Sequence, residues 1–284
     1  MLWFNGQFLS QKNALIPVQD RGFLLGDGIF ETMCATHGKV PWLSRHLKRI
    51  SQSFDKLGNF SVFLPDESEV ATIVATLCRE IPTSHAVIRL TVSRGQGGQG
   101  LLPRGVADAA IVITAKPFDP AAGRGAVSLA VSHQVRRNPW SVASRVKSLN
   151  YLDNIIARQE ADSKGAEDSL ILTQDGCVGE TTIANVFALF GDVLQTASSE
   201  TGIFSGLARA EIIDWAQRNH ISICYDPLSV AELYRSESVF ICNALRGVRE
   251  VREIDGRHVM PSEHGIKIYN RISQHLEQSI WGAS

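Results

Sequence analysis

The run Arg145-Val146-Lys147-Ser148-Leu149-Asn150-Tyr151-Leu152-Asp153-Asn154-Ile155-Ile156-Ala157-Arg158-Gln159-Glu160-Ala161 decides how this chain is read. An apolar, strand-like stretch from Val127 to Val135 precedes it, followed by a loop at Asn138-Pro139-Trp140. Leu149, Leu152, Ile155 and Ile156 recur at spacings of three and four, which predicts a helix, and Gly165 stands where a helix-stopping glycine belongs. Lys147 sits where the loop turns into that helix. An amine that is partly desolvated and held has a lowered pKa and can form a Schiff base. An arbitrary lysine near a helix start is an ordinary surface residue, so the weight falls on what lies downstream.

Asp168 to Thr173 reads as a strand, Gln174-Asp175-Gly176 as a turn, and Cys177 to Leu189 as a second apolar stretch. Glu180 is a carboxylate at the edge of that stretch, 33 residues after Lys147 (180 − 147). A lysine and an acid are the pair that a pyridoxal phosphate site needs. The lysine holds C4′ as an imine, and the acid keeps the pyridine nitrogen protonated so that the ring accepts electrons.

Five stretches then carry a specific likeness: Asp20-Arg21-Gly22 with Gly26-Asp27-Gly28-Ile29-Phe30-Glu31-Thr32, His46-Leu47-Lys48-Arg49, Lys147-Ser148-Leu149-Asn150-Tyr151, Glu180 with Asn185-Val186-Phe187, and Gly206-Leu207-Ala208-Arg209. In this order and spacing the chain resembles the class IV, fold-type IV pyridoxal-phosphate enzymes from about Asn5 to Gly256. That group contains branched-chain aminotransferases, D-amino-acid aminotransferases and aminodeoxychorismate lyases. The resemblance implies a two-domain α+β fold with pyridoxal 5'-phosphate in the interdomain cleft. It implies a homodimer whose sites include loops of both chains. The expected reaction is amino-group transfer between small amino acids or amines and keto acids through Lys147. The alternative is a 4-amino-4-deoxychorismate lyase, which uses the same cofactor but expels pyruvate. A transaminase converts its bound cofactor to the amine form when given an amino donor alone, and a lyase does not accumulate it.

The resemblance also assigns residues. Arg49 resembles the arginine that pairs with the cofactor phosphate, and a guanidinium fork suits that dianion. Without the family, Arg49 beside Arg45, His46 and Lys48 reads as a solvated basic face. Leu207 and Ala208 open a helix whose backbone N–H groups form a phosphate cup. Many family members carry Thr at Ala208, so only backbone donors are expected there. Asn243-Ala244-Leu245 places backbone near phosphate and substrate, and is closer to the lyases than to the aminotransferases. Tyr151 is either a core tyrosine or a hydroxyl that hydrogen-bonds O3′. Asn185 either orients Glu180 or ends a strand. Phe30 and Glu31 lie on the strand expected to line the substrate cavity. In the family, the Arg94–Gly100 loop often carries an arginine for the substrate carboxylate. Here Gln99 takes that position, so weak carboxylate binding through the loop is expected, with Arg94, Arg136, Arg137 or Arg246 as possible replacements. A P-loop is excluded because no Lys-Ser/Thr follows the glycines.

Composition sets the outer bounds. The chain has 284 residues, 44% hydrophobic and 20% charged, with net charge −1. This is ordinary for a globular protein of two domains and gives no support for nucleic acid as partner. Five cysteines without CxxC spacing argue against a disulfide framework or a metal site and fit a cytoplasmic protein. No signal peptide or membrane span is expected. The expected domains are residues 1–116, a Pro/Gly/Ala-rich linker at 117–125, and 126–284. Strands and helices mix without strict βαβ alternation, which predicts α+β with mixed or antiparallel sheets. The chain is expected to open with a hairpin at Asn5-Gly6. Helices are expected at Leu43 to Leu57 and Asp66 to Glu80, with a closing helix from about His264 to Gln278.

Overall fold

The computed structural model describes residues 1–58, 62–97, 100–104 and 108–282. The chain divides into two compact units, one of Met1–Pro120, Val146–Asn150 and Ile280–Ser284, the other of Ala121–Arg145 and Tyr151–Ser279.

The first unit begins with β1 (Leu2–Phe4) and β2 (Gln7–Leu9), joined by Asn5 and Gly6. Both turn residues have positive φ, 42° and 91°, which suits the twist of a tight hairpin. Next come the short helix α1 (Arg21–Leu25), β3 (Gly28–Thr36), α2 (Leu43–Leu57), α3 (Glu67–Cys78), β4 (His85–Ser93) and β5 (Ile111–Pro117). The strands form an antiparallel sheet in the order β2-β1-β5-β4-β3. Asp66 caps α3 in a capping box with Glu69. Leu43, His46, Ile50 and Ser53 form the buried stripe of α2. Ile29, Met33, Ile50, Val70, Val74, Ile88, Leu90 and Ile113 are central to the core.

Only Thr32 of β3 escapes burial. Part of the cover comes from the lysine segment, which lies along this edge strand. Phe30 N–H donates to the Lys147 carbonyl at 2.8 Å, Leu149 N–H donates to the Gly28 carbonyl at 2.9 Å, and Ile29 bridges Ser148. A Cβ at Gly28 would strike the Val92 carbonyl and the Leu149 side chain, so this close approach needs glycine.

The expectation of a helix through Leu149 is therefore corrected. Val146–Asn150 belongs to the first unit, not the second, and it is not helical: Val146 and Lys147 form a turn, and Ser148 makes an isolated bridge. The helix α5 starts at Leu152, after α4 (Val142–Arg145). Leu152 and Ile155, expected on its buried face, are 66% and 50% exposed. Its buried residues are Ala157, Glu160 and Ala161. Glu160 is buried because β6 (Val127–Arg137) loses register between Val131 and Arg136. The glutamate accepts hydrogen bonds from the stranded His133 N–H and from Ser132 Oγ.

The second unit continues with α5 (Leu152–Ser163), β7 (Asp168–Thr173), β8 (Val178–Thr181), β9 (Asn185–Phe190) and β10 (Val193–Gln195). Then follow α6 (Leu207–Arg218), β11 (Ser222–Cys224), α7 (Val230–Leu233), β12 (Ser238–Asn243), β13 (Gly247–Ile254), β14 (Arg257–His258) and α8 (Glu263–Trp281). The main strand order is β11-β10-β9-β12-β13-β6-β7-β8, with parallel pairs at β13–β6, β6–β7 and β10–β11. An additional pairing of Glu180 with Asn185 joins β8 to β9, so β9, β12, β13, β6, β7 and β8 close into a ring. The mixed sheets and the helices make the fold α+β.

Candidate active site

In the first unit, β3 sets a row of side chains. Phe30 is buried, and the Lys147 Nζ stands 4.4 Å from the centre of its ring. Arg89, two residues along β4 from Thr91, the cross-strand partner of Phe30, places its guanidinium carbon 3.8 Å from the same ring. A lysine and an arginine thus both contact the one Phe30 ring. Sequence reading had passed over Arg89. It looks like any polar residue on the exposed face of a strand, and only the pairing of β3 with β4 brings it to Phe30.

Glu31, expected on the strand that lines the substrate cavity, directs its carboxylate to α2. Its Oε1 accepts from Arg49 Nε and its Oε2 from Arg49 Nη2, both at 2.7 Å. Oε2 also lies 2.8 Å from His46 Nδ1. The carboxylate is 1% exposed and spends both oxygens on α2. Burial pushes the Glu31 pKa up, but Arg49 and His46 pull harder and hold it at about 2. Burial lowers the pKa of His46, with help from the charges of Arg49 and Lys147 and against the pull of Glu31. His46 is therefore neutral at pH 7 and donates its Nδ1–H to Glu31.

Arg94 also has a partner already. Its Nε donates to both oxygens of Asp27, at 3.0 and 2.9 Å, and its Nη atoms reach the Gly58 and Leu57 carbonyls. Asp27 is shared with Arg21 Nε at 2.8 Å, and the Arg21 Nη atoms hold the Gly100 and Leu101 carbonyls. Gln99 lies outside the described residues.

In the second unit, the ring closure sets Glu180 beside Asn185. Glu180 Oε2 accepts from Asn185 Nδ2 at 3.2 Å, and Oε1 accepts from Phe204 N–H at 3.1 Å. Arg137 Nε lies 2.7 Å from Oε1 as an ion pair whose alignment falls short of a hydrogen bond. Arg137 Nη1 donates to Asn154 on α5. Arg137 is thus a partner of Glu180. Arg136 is held by the Ser132 and Val135 carbonyls, and Arg246 reaches the Ala122 carbonyl.

Leu207 opens α6, whose N-cap is Gly206 with no side chain capping it. Such an end presents backbone donors and a partial positive charge to an anion. Ala208 is buried in the first turn. A Cβ at Gly206 would run into Asn185 Oδ1, and Asn185 Nδ2 is already bonded to Glu180 and to the Phe204 carbonyl. Gly206→Ala should therefore cost about 1–3 kcal/mol, as overpacking usually does, and urea unfolding measures it. Buried Arg209 follows, donating to the Ala197 carbonyl. Burial lowers its pKa, while Tyr225, Cys242 and Glu180 act against that. Asn243 Oδ1 accepts from the backbone N–H groups of Leu245 and Arg246, closing the turn that carries Ala244 into β13. Tyr151 is the N-cap residue of α5, and its ring is half-buried.

Residues 28–254 match the Amino-transferase class IV family. A protein of Methanocaldococcus jannaschii named as a branched-chain-amino-acid aminotransferase is 33% identical over 93% of this chain and 91% of its own. The aminodeoxychorismate lyase of Bacillus subtilis is 26% identical over 86% of this chain and 83% of its own. An aminotransferase from Mycobacterium tuberculosis, solved in its PLP-bound form, shares the fold with a TM-score of 0.84 at 21% identity, covering all of both chains. The chain belongs to the class IV aminotransferase family and is a pyridoxal-phosphate-dependent transaminase. Its residues fit that cofactor. A side-chain-free helix N-terminus suits a phosphate, and a buried carboxylate ringed by donors suits a pyridinium.

Proposed function

We propose that this transaminase moves an amino group between small amino acids and keto acids, with Lys147 as the catalytic amine. The observation that carries the proposal is the lysine over the Phe30 ring, a ring that Arg89 also contacts. Bound pyridoxal phosphate supplies an aldehyde carbon and an electron sink. Lys147 would be the residue that holds that carbon, and its Nζ would act as general base and acid for the proton that moves in the reaction. Glu180, anchored by Phe204 N–H, Asn185 and Arg137, keeps its charge directed at a pyridine nitrogen. Arg49 and the first turn of α6, with Leu207 and Ala208, hold the phosphate, and the Asn243–Ala244 turn adds backbone. Tyr151 reaches O3′. Phe30 forms an apolar wall for the substrate.

Arg89 binds the substrate carboxylate in this reading. Arg94 is paired with Asp27 and donates to the Gly58 and Leu57 carbonyls, and Arg137 is paired with Glu180, which makes both poorer carboxylate traps. A hydrogen bond from a charged donor to a carboxylate is worth about 1.5–3 kcal/mol, so Arg89→Gln should raise KM for a keto acid about ten- to a hundredfold. Steady-state kinetics with an amine donor and varied keto acid tests it, and an unchanged KM would remove Arg89 from the site. A lyase reading has the support of Asn243-Ala244-Leu245 and of the Bacillus subtilis relative. Chromatography of an amino acid and a keto acid incubated with the protein decides between the two. Amino transfer supports the transaminase, and pyruvate release from aminodeoxychorismate with no transfer supports the lyase.

The working form in this proposal is a cytoplasmic homodimer. Phe23 and Leu24 of α1 are 72% and 59% exposed, and Val18, Leu101 and Leu102 are exposed as well. Arg21, on the same helix, binds the Leu101 carbonyl, and exposed apolar side chains of this kind are what a second copy would cover. The five cysteines are free, as a reducing compartment would keep them. No helix among the described residues is long and apolar enough to cross a membrane.

A further inference from the structure

Glu31 and His46 are among the most deeply buried polar groups of the first unit, and Glu31 meets the proposed phosphate site through its two hydrogen bonds from Arg49. Glu31 grips the Nε–Nη2 edge of Arg49 with both oxygens. A guanidinium held along one edge has its plane and its opposite edge fixed in direction. His46 lies one helical turn before Arg49 on α2 and fixes Oε2 of the same carboxylate from a second side. Without His46, the carboxylate can turn about its terminal bond and carry the arginine with it.

We propose that Glu31 and His46 are positioning residues for the cofactor phosphate: the His46–Glu31–Arg49 chain aims the arginine before the phosphate arrives. Pre-aiming raises affinity because the ordering cost is met during folding and not during binding. The inference rests on the reading of Arg49 as a phosphate ligand. His46 suits the task because it is neutral, so it orients Glu31 without adding a charge that would compete with Arg49 for it.

The test compares pyridoxal phosphate with pyridoxal, which has the same aldehyde and ring but no phosphate. Each is titrated into cofactor-free enzyme, with absorbance of the lysine-bound form as the readout. Losing one hydrogen bond to a charged group is worth about a factor of ten, so His46→Ala should reduce the preference for the phosphorylated form about tenfold. His46→Asn places an amide N–H where Nδ1–H was and should restore most of the preference. Glu31→Gln should lower it at least as far as His46→Ala. A general weakening of the fold reduces both affinities together and leaves their ratio unchanged, which would overturn the proposal. Arg49→Gln is the control on the underlying reading. If it erases the preference while His46→Ala does not, Arg49 binds phosphate and the positioning role falls alone. If Arg49→Gln also leaves the preference intact, both fall.

Discussion

Lys147→Ala should stop borohydride from fixing pyridoxal phosphate to the protein and should cut turnover about 10⁴-fold, the upper range for removing a positioned proton-transfer group. The fold should survive the change. The segment is held to β3 by main-chain bonds, Phe30 N–H to the Lys147 carbonyl and Leu149 N–H to the Gly28 carbonyl, which alanine preserves. What alanine loses structurally is the amine over Phe30, worth about 0.5–1 kcal/mol at a partly exposed site. Lys147→Arg should be as inactive as the alanine variant. An arginine keeps the charge over the ring but cannot be deprotonated, so it can neither add to the aldehyde nor shuttle a proton. Mass spectrometry of the borohydride-treated variants is the measurement. A cofactor adduct on another lysine, with turnover retained, would refute the assignment.

Glu180→Gln should lower kcat about 10²–10³-fold, the effect of removing one preorganised electrostatic group. A neutral amide cannot hold a pyridine nitrogen protonated. The structure adds a second cost. Two donors, Phe204 N–H and Asn185 Nδ2, and the Arg137 counter-ion converge on this carboxylate. A glutamine can present oxygen to Arg137 and Phe204 only by turning its own N–H₂ group against Asn185. Breaking a buried ion pair costs about 3–5 kcal/mol, because it leaves a buried charge without a counter-ion. The variant should therefore unfold at lower urea and also turn over slowly. The double variant Arg137→Met/Glu180→Gln removes the orphaned charge and should recover stability without recovering rate. Equal turnover in Glu180→Gln and wild type at saturating cofactor would show that Glu180 does not face the pyridine.

The two residues these experiments address are proposed from the sequence on local neighbours. Lys147 is flagged by Ser148-Leu149-Asn150, and Glu180 by the apolar strands on either side. The counter-ions of the charged groups were not visible. Glu31 meets Arg49 across 18 residues and Arg94 meets Asp27 across 67. A charge chooses its counter-ion only after strands and helices have packed. Helical periodicity misled at Leu149, Leu152 and Ile155 because a strand pairing and an exposed helix face produced the same spacing. Glu160 reads as a surface glutamate, and the register shift in β6 that buries it leaves no mark in the local pattern. Arg89 needed the β3–β4 register before it stood out.

The chain passes from one unit to the other four times, at residues 120/121, 145/146, 150/151 and 279/280. The first unit is thus not a cassette. A gene fragment stopping at Pro120 would encode β3 with its edge bare and without the lysine that lies along it. In a chimera made by splicing the first 120 residues onto a relative, that edge would be lined by the recipient's lysine segment. Phe30 would face an amine whose neighbours were selected for another ring. Recombination between family members has to exchange residues 146–150 together with β3, although more than a hundred positions separate them.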